Sequence, residues 1–301
     1  MREANHLSQT ESETKGKVLL FGATGNLGKA IAKELVSQHY DLTVVVRNQQ
    51  KAKDLSAITS KYVVANIADA NSLIGICNGF DIVVSALGKS VSPNDKSKPS
   101  FRDIDLNANS AVLNEALKSG VKKFVYVSAY ESEKHLDLEY FKVHHEFSEK
   151  LKQSGINYSI IKPPAIFCAF IDMIKMAQNG KLVTIGSGDK KTNPIYEGDL
   201  AKVCVDAISI TNTTIEAGGK NIYTRKQLNE IIQQRVDASK KIRTIPLGLM
   251  KFALLLFKLF DRNSYDKFAF FTAVYQHDTI APQIGGMKFE DYIDNKVKNI
   301  R

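Results

Sequence analysis

The chain predicts an α/β fold built on a doubly wound parallel sheet, and three observations carry that prediction. Short apolar runs rich in Val, Ile and Phe recur from Lys17 to about Ile161. Helix-period stretches separate them, long enough to act as the right-handed crossovers that parallel strands require. The first run passes directly into a glycine-rich turn and then a helix-forming stretch.

In chain order the strand candidates are VLLF, LTVVV, YVVA, DIVVSAL, KFVYVS and YSII. Each is short and continuously apolar, as expected of strands covered on both faces. Among the helical stretches, Leu27 to Gln38 follows the glycine turn, and Asn107 to Lys118 ends near Gly120, a residue suited to a left-handed cap. After Pro163-Pro164 the alternation loosens into helices with a few short strands, which predicts a smaller lobe packed over the carboxyl edge of the sheet.

Composition narrows the partners. The chain is 44% hydrophobic and 24% charged, an ordinary globular balance. Its net charge of +9 favours an anionic ligand, substrate or surface. Nucleic acid is not expected, because no basic stripe with interleaved aromatics is present. Cys77, Cys168 and Cys204 are too widely spaced for a CxxC pair and are expected as reduced, packed thiols. The first fourteen residues are polar and lack an apolar signal core, so residues 1–15 are expected as a flexible arm and the protein as cytoplasmic. Leu247 to Phe260 (LGLMKFALLLFKLF) is too short to span a bilayer. It is expected as a core or pocket-wall helix, with membrane contact at most peripheral.

The glycine turn carries the first chemical expectation. In Gly22-Ala23-Thr24-Gly25-Asn26-Leu27-Gly28, Gly22 suits the sharp exit from the strand, Gly25 allows a phosphate to approach backbone, and Gly28 allows the helix to pack tightly. Backbone amides and the helix N-terminus then face an anion, the arrangement that holds a dinucleotide's diphosphate. Arg47 closes the second strand, where a 2′-hydroxyl would call for a carboxylate and a 2′-phosphate for a guanidinium. The expected cofactor is therefore NADP(H) rather than NAD(H). Asn66 and Ile67 after the third strand, and Ala86, Leu87 and Gly88 after the fourth, fall at strand carboxyl ends where such ligands lie. The division expected is a Rossmann-type domain over residues 16–165 and a mostly helical substrate lobe over 166–301.

Beyond these features the chain resembles the atypical short-chain dehydrogenase/reductase superfamily, in particular its NmrA-like and divinyl-reductase-like branches. The resemblance rests on GATGNLGK at 22–29, SGINYSIIKPPAIF at 154–167, NPIYEGDLA at 193–201 and GMKFEDYI at 286–293. It implies that the Pro163-Pro164 region and the NPI segment border a pocket for nicotinamide and a small-molecule substrate. It also implies a Tyr-x-x-x-Lys pair with a Ser on the preceding strand, where the phenol gives a proton, the cation lowers its pKa and the Ser polarises the oxygen. Ser128 and Tyr140 fit that pattern, but His144 stands where the Lys would be. A neutral imidazole cannot replace a permanent ammonium, so Ser128, Tyr140 and His144 are the catalytic candidates of a site that departs from the pattern. The literal match at Tyr130 to Lys134 lies too close to Ser128 and reads as a decoy. Lys142 would face away from Tyr140, and Asp199 is expected to cap a helix. The adjacent His144 and His145 diverge on a helix and do not make a metal site. An NADP(H)-dependent oxidoreductase is the leading expectation, a redox-sensing regulator or assembly factor the alternative, and sugar-nucleotide epimerisation the last.

Overall fold

The computed structural model describes residues 14–92 and 94–298; most of the arm expected over residues 1–15 lies outside them. The first layer is built in the order β1 (Lys17–Phe21), α1 (Asn26–Ser37), β2 (Asp41–Val46), α2 (Gln49–Lys53), β3 (Tyr62–Val64), β4 (Ile82–Ser85), α3 (Asn109–Lys118), β5 (Lys123–Val127), α4 (Glu139–Gln153) and β6 (Asn157–Lys162). These strands pair in parallel in the order β3-β2-β1-β4-β5-β6. All six apolar runs are strands. The order reverses between β1 and β4, and the crevice at that switch point is where open α/β sheets bind ligands.

Strand alternation explains both covers. Val18 and Leu20 of β1 point to one face with Ile31 and Leu35 of α1, while Leu19 and Phe21 point to the other with Phe124, Phe147 and Leu151. Helix α1 buries Gly28, Ile31, Ala32 and Leu35, the i, i+3, i+4, i+7 stripe of an amphipathic helix. Helix α4 buries His144, Phe147, Ser148 and Leu151 at the same spacing.

The rest of the chain holds α5 (Ile171–Gln178), β7 (Val183–Ile185), β8 (Lys191–Thr192), α6 (Glu197–Asp206), β9 (Thr213–Glu216), β10 (Tyr223–Thr224), α7 (Arg225–Asp237), β11 (Arg243–Ile245), α8 (Leu247–Phe260), α9 (Arg262–Val274) and α10 (Phe289–Lys298). A separate core of Phe167, Ile174, Leu228, Ile232, Phe289 and Ile293 forms a lobe. Two of these elements return to the first layer: β9 pairs with β6 as a seventh parallel strand, and Leu200, Ala201, Cys204 and Val205 of α6 share the core of α1. The expected division at residue 165 is thus crossed by residues 197–216.

Two expectations are corrected. Helix α8 is not a core helix: Met250 is its one buried residue, and Phe252, Leu255, Leu259 and Phe260 are 60%, 63%, 75% and 84% exposed. Hydropathy measured the helix's apolarity but could not tell how many neighbours cover it. Asp199 does not cap its own helix. Its Oδ2 accepts from the amides of Gly286 (2.8 Å) and Met287 (3.0 Å), tying the GMK segment to α6. The three cysteines are unpaired, and burial pushes each thiol up to about 12, away from reactivity.

Candidate functional site

The glycine turn is shaped by contacts that only glycine permits at two of its three positions. Gly22 has φ +78°, and a Cβ there would lie 2.5 Å from the carbonyl oxygen of Ala86, so the exits of β1 and β4 run in contact. A Cβ on Gly28 would lie 2.1 Å from the oxygen of Gly22, so α1 sits directly on the turn. Gly25 differs, since a Cβ there would come no closer than 3.5 Å to any protein atom. Its missing side chain serves nothing inside the protein and leaves room for a ligand outside it. Gly25 is also the N-cap of α1, where no side chain bonds the first amides and no acidic residue occupies the first turn. The helix's positive end is therefore left for an anion. Thr24 and Asn26 flank this cradle, and Leu27 packs inward on the sheet.

The remaining cofactor candidates stand along the same edge. Arg47 is exposed at the end of β2 and takes part in no ion pair among the described residues. Asn48 caps α2 beyond it by accepting from Lys51 N. Asn66 is exposed after β3; its Oδ1 accepts from Ala68 N at 3.2 Å, which holds the turn and leaves its amide nitrogen outward. Ile67 packs on the core beside it. Ala86 and Leu87 continue β4 into the crevice, and Gly88 is exposed, with space for a Cβ limited by Asp105 Oδ1 at 3.4 Å. An open helix N-terminus and a cradle a Cβ would fill together fit the diphosphate of a dinucleotide.

The catalytic candidates are brought together beside that edge. Ser128 extends β5 by donating its amide to Ile161 O, and its Oγ lies 3.1 Å from Ser148 Oγ. Tyr140 and His144 stand one turn apart on α4, their rings 4.7 Å apart edge to face. His144 is 5% exposed. Its Nδ1 lies 2.7 Å from the Tyr126 hydroxyl and its Nε2 3.4 Å from Asp105 Oδ1. Burial drives His144 down to about 3, so the imidazole is neutral, with one ring nitrogen beside the Tyr126 hydroxyl and the other facing Asp105. Tyr140 is half-buried, and burial, then the Asp105 carboxyl, raise its phenol above the usual range. That is the opposite of the lowering that a neighbouring Lys would produce. The trio is a neutral cluster, not an activated triad.

Sequence reasoning missed Asp105, Tyr126 and Lys89. Asp105 lies in a π-helical stretch, Arg102–Ala108, whose extra residue per turn brings the carboxylate inward to accept from Lys89 N at 3.2 Å. No sequence pattern announces such a turn. Tyr126 did leave a signal, because a Tyr in the middle of a continuously apolar strand needs a buried partner for its hydroxyl. Lys89 Nζ turns to Asp95 Oδ2 at 2.5 Å and Ser97 O at 3.0 Å, ordering the segment after Gly88.

Around the trio the lining is aromatic. Phe101, Phe141 and Phe270 place their rings 5.3, 5.1 and 4.5 Å from that of Tyr140. The NPI segment runs beside the residues after Pro164, with Ile195 N donating to Ala165 O and Phe167 N to Ile195 O, both at 2.9 Å. Tyr130 lies in the loop after β5, where its hydroxyl donates to Ile280 O at 2.7 Å, and Lys142 points to Glu146. No group of three or more His, Cys, Asp or Glu suited to a metal occurs among the described residues.

Burial raises Asp105 to about 8. A carboxyl with a raised folded-state pKa contributes stability that is complete below its unfolded pKa of about 4 and is lost as the pH rises through about 8. His144, lowered to about 3, acts oppositely: its contribution is complete above about 6.5 and is lost as the pH falls toward 3. Asp105→Asn is therefore expected to flatten the decline in urea-unfolding midpoint between about pH 4 and 8. Parallel pH profiles for variant and wild type would contradict the assignment.

The NAD(P)H-binding family model matches residues 22–211, from the glycine turn to just before β9. The chain is 27% identical over 241 residues to the Photosystem II assembly factor Ycf39 of Cyanophora paradoxa, covering 78% of this chain and 74% of that one. It is 28% identical over 261 residues to the chloroplastic divinyl chlorophyllide a 8-vinyl-reductase of Arabidopsis thaliana, covering 79% and 61%. Among solved structures, the NADPH-dependent quinone oxidoreductase of Escherichia coli superposes with a TM-score of 0.68 at 20% identity, over 93% of this chain and 99% of that one. A nucleoside-diphosphate-sugar epimerase of Staphylococcus aureus reaches 0.70 at 18% identity, over 92% and 99%; at these identities the likeness is one of fold. With the cradle at Gly22–Gly28 and the family match covering residues 22–211, the chain belongs to the NAD(P)H-binding family.

Proposed function

We propose that the protein is an NADP(H)-dependent reductase of an apolar, conjugated small molecule. The observation that carries the cofactor choice is Arg47, an exposed guanidinium without an ion-pair partner among the described residues, at the end of β2 where a 2′-phosphate would sit. When bound, reduced nicotinamide supplies hydride. The amides at the start of α1 hold the diphosphate, Arg47 the 2′-phosphate, and the Ala86-Leu87-Gly88 backbone borders the ribose. The Phe101, Phe141 and Phe270 rings keep water from the reacting face and favour an apolar substrate.

The acceptor class follows from the acid–base state of the trio. Ser128 is engaged with Ser148, His144 is neutral, and the Tyr140 phenol is raised. None of these three side chains is tuned to hand a proton to a ketone oxygen. An acceptor whose conjugation stabilises the charge left after hydride addition, and which takes its proton from solvent, fits these residues better.

The test couples binding with turnover. Wild type should oxidise NADPH in the presence of a quinone or a conjugated enone. Arg47→Ala should weaken NADPH binding about 10- to 100-fold while changing NADH binding less than about threefold, the scale of a lost charge-assisted contact. Equal affinity of wild type and variant for NADPH would remove the 2′-phosphate assignment.

A second reading, a redox-sensing regulator or assembly factor that binds the cofactor without turning it over, is favoured by the buried neutral His144 and by the similarity to the Ycf39 assembly factors. It requires calorimetry to separate oxidised from reduced cofactor with no turnover on any acceptor.

A further inference from the structure

We propose that α8 docks the protein on an anionic lipid surface. Leu249, Phe252, Leu255, Leu256, Leu259 and Phe260 are 49–84% exposed. At about 100° per residue they fall in a single arc roughly 140° wide. Lys251 and Lys258, seven residues apart, lie along one margin of that arc. The opposite side is already occupied: Met250 is buried, and Phe257 stacks on Phe268 of α9 at 4.7 Å. The apolar arc is therefore a second face that the fold leaves uncovered, and an exposed patch of this kind marks a contact surface.

Its length and charge select the occupant. Fourteen residues make a helix of about 21 Å, and no helix among the described residues is long and apolar enough to cross a membrane. Such a helix lies in the plane of the interface. Around the helix, Lys240 and Arg262 are paired with Asp237 at 3.3 Å and Asp266 at 3.1 Å, while Lys241, Arg243, Lys251 and Lys258 take part in no ion pair among the described residues; the acid nearest the helix is Asp261. That carboxylate is taken up at the start of α9, by Ser264 N at 3.2 Å and Ser264 Oγ at 2.6 Å. A basic border around an apolar face complements acidic headgroups over an acyl layer. A second copy would set the same basic borders against each other, and a neutral protein groove would leave them unpaired.

The position has a structural consequence. Helix α9 stacks Phe268 on α8 and places Phe270 4.5 Å from Tyr140, so docking would set the aromatic site one helix away from the lipid. The proposal does not depend on hydride chemistry and is tested without it.

Full-length protein is sedimented with vesicles of phosphatidylcholine alone and of phosphatidylcholine with about 30% phosphatidylserine. Wild type should partition at least about tenfold more strongly onto the anionic vesicles, and high salt should reduce that difference. Phe252→Ser/Leu255→Ser/Leu259→Ser/Phe260→Ser should lose binding about tenfold or more. Lys251→Glu/Lys258→Glu should lose the preference for anionic lipid. Both variants should keep dinucleotide affinity within about twofold, because the altered side chains are exposed and lie off the cradle. Wild type remaining in the supernatant with both vesicles would overturn the proposal. So would a wild-type dimer that the four-serine variant converts to monomer without any vesicle binding, which would assign the face to a second copy.

Discussion

Gly28→Ala is expected to abolish detectable dinucleotide binding and to lower stability by about 3 kcal/mol. The added methyl would sit 2.1 Å from the carbonyl oxygen of Gly22 and 2.8 Å from the Cα of Ala23. Both obstacles are backbone, so no rotamer change relieves them. Helix α1 must move off the turn, and because its buried stripe shares a core with α6 the displacement disturbs both helices. The first-turn amides lose their aim at the diphosphate in the same movement. Gly25→Ala is the matched control. Its φ of −73° suits alanine, and its nearest obstacle is 3.5 Å away. It should cost stability less than about 1 kcal/mol, the scale of an N-cap change, yet weaken NADPH binding about 30-fold by filling the phosphate's approach. Calorimetric titration and thermal unfolding on both variants separate the two effects. Wild-type affinity in Gly25→Ala would remove the diphosphate from this turn.

What the amino-acid order reveals here is what local chemistry determines. Six strands were legible because each is a continuous apolar run covered on both faces, and the glycine turn because its residue types are needed at fixed offsets. The seventh strand, Thr213–Glu216, was not: it is a half-covered edge strand with polar residues at three of four positions, and its place beside β6 depends on the path of the chain. Helix α8 was recognisable as a helix, but its exposure depends on how few neighbours reach it. At the site, the glycines and Arg47 lie along one edge of the sheet, at the carboxyl ends of β1 and β2. The state of His144 could not be read in advance, because it depends on burial beside Tyr126 and on a carboxylate delivered by a π-helical turn.

Asn193→Leu is expected to cost about 3–5 kcal/mol and to release the C-terminal segment from the sheet, because a buried polar junction would lose its centre. Asn193 is fully buried. Its Nδ2 donates to Ala281 O at 2.7 Å and Gly219 O at 3.3 Å, and its Oδ1 accepts from Ala281 N at 2.9 Å. A Cβ on Gly218 would collide with this amide at 2.1 Å, which is why the adjoining strand exit carries no side chain there. Leucine has nearly the same volume but leaves one N–H and two carbonyls without their partner. Residues 279–298 then lose their hold, and α10 takes Phe289, Tyr292 and Ile293 out of the lobe core. The cofactor edge is built by β1 to β4 and shares none of these bonds. Dinucleotide affinity should therefore stay within about threefold while turnover disappears and a protease site opens between residues 279 and 288. Affinity lost in step with turnover would instead make the lobe part of the cofactor's grip.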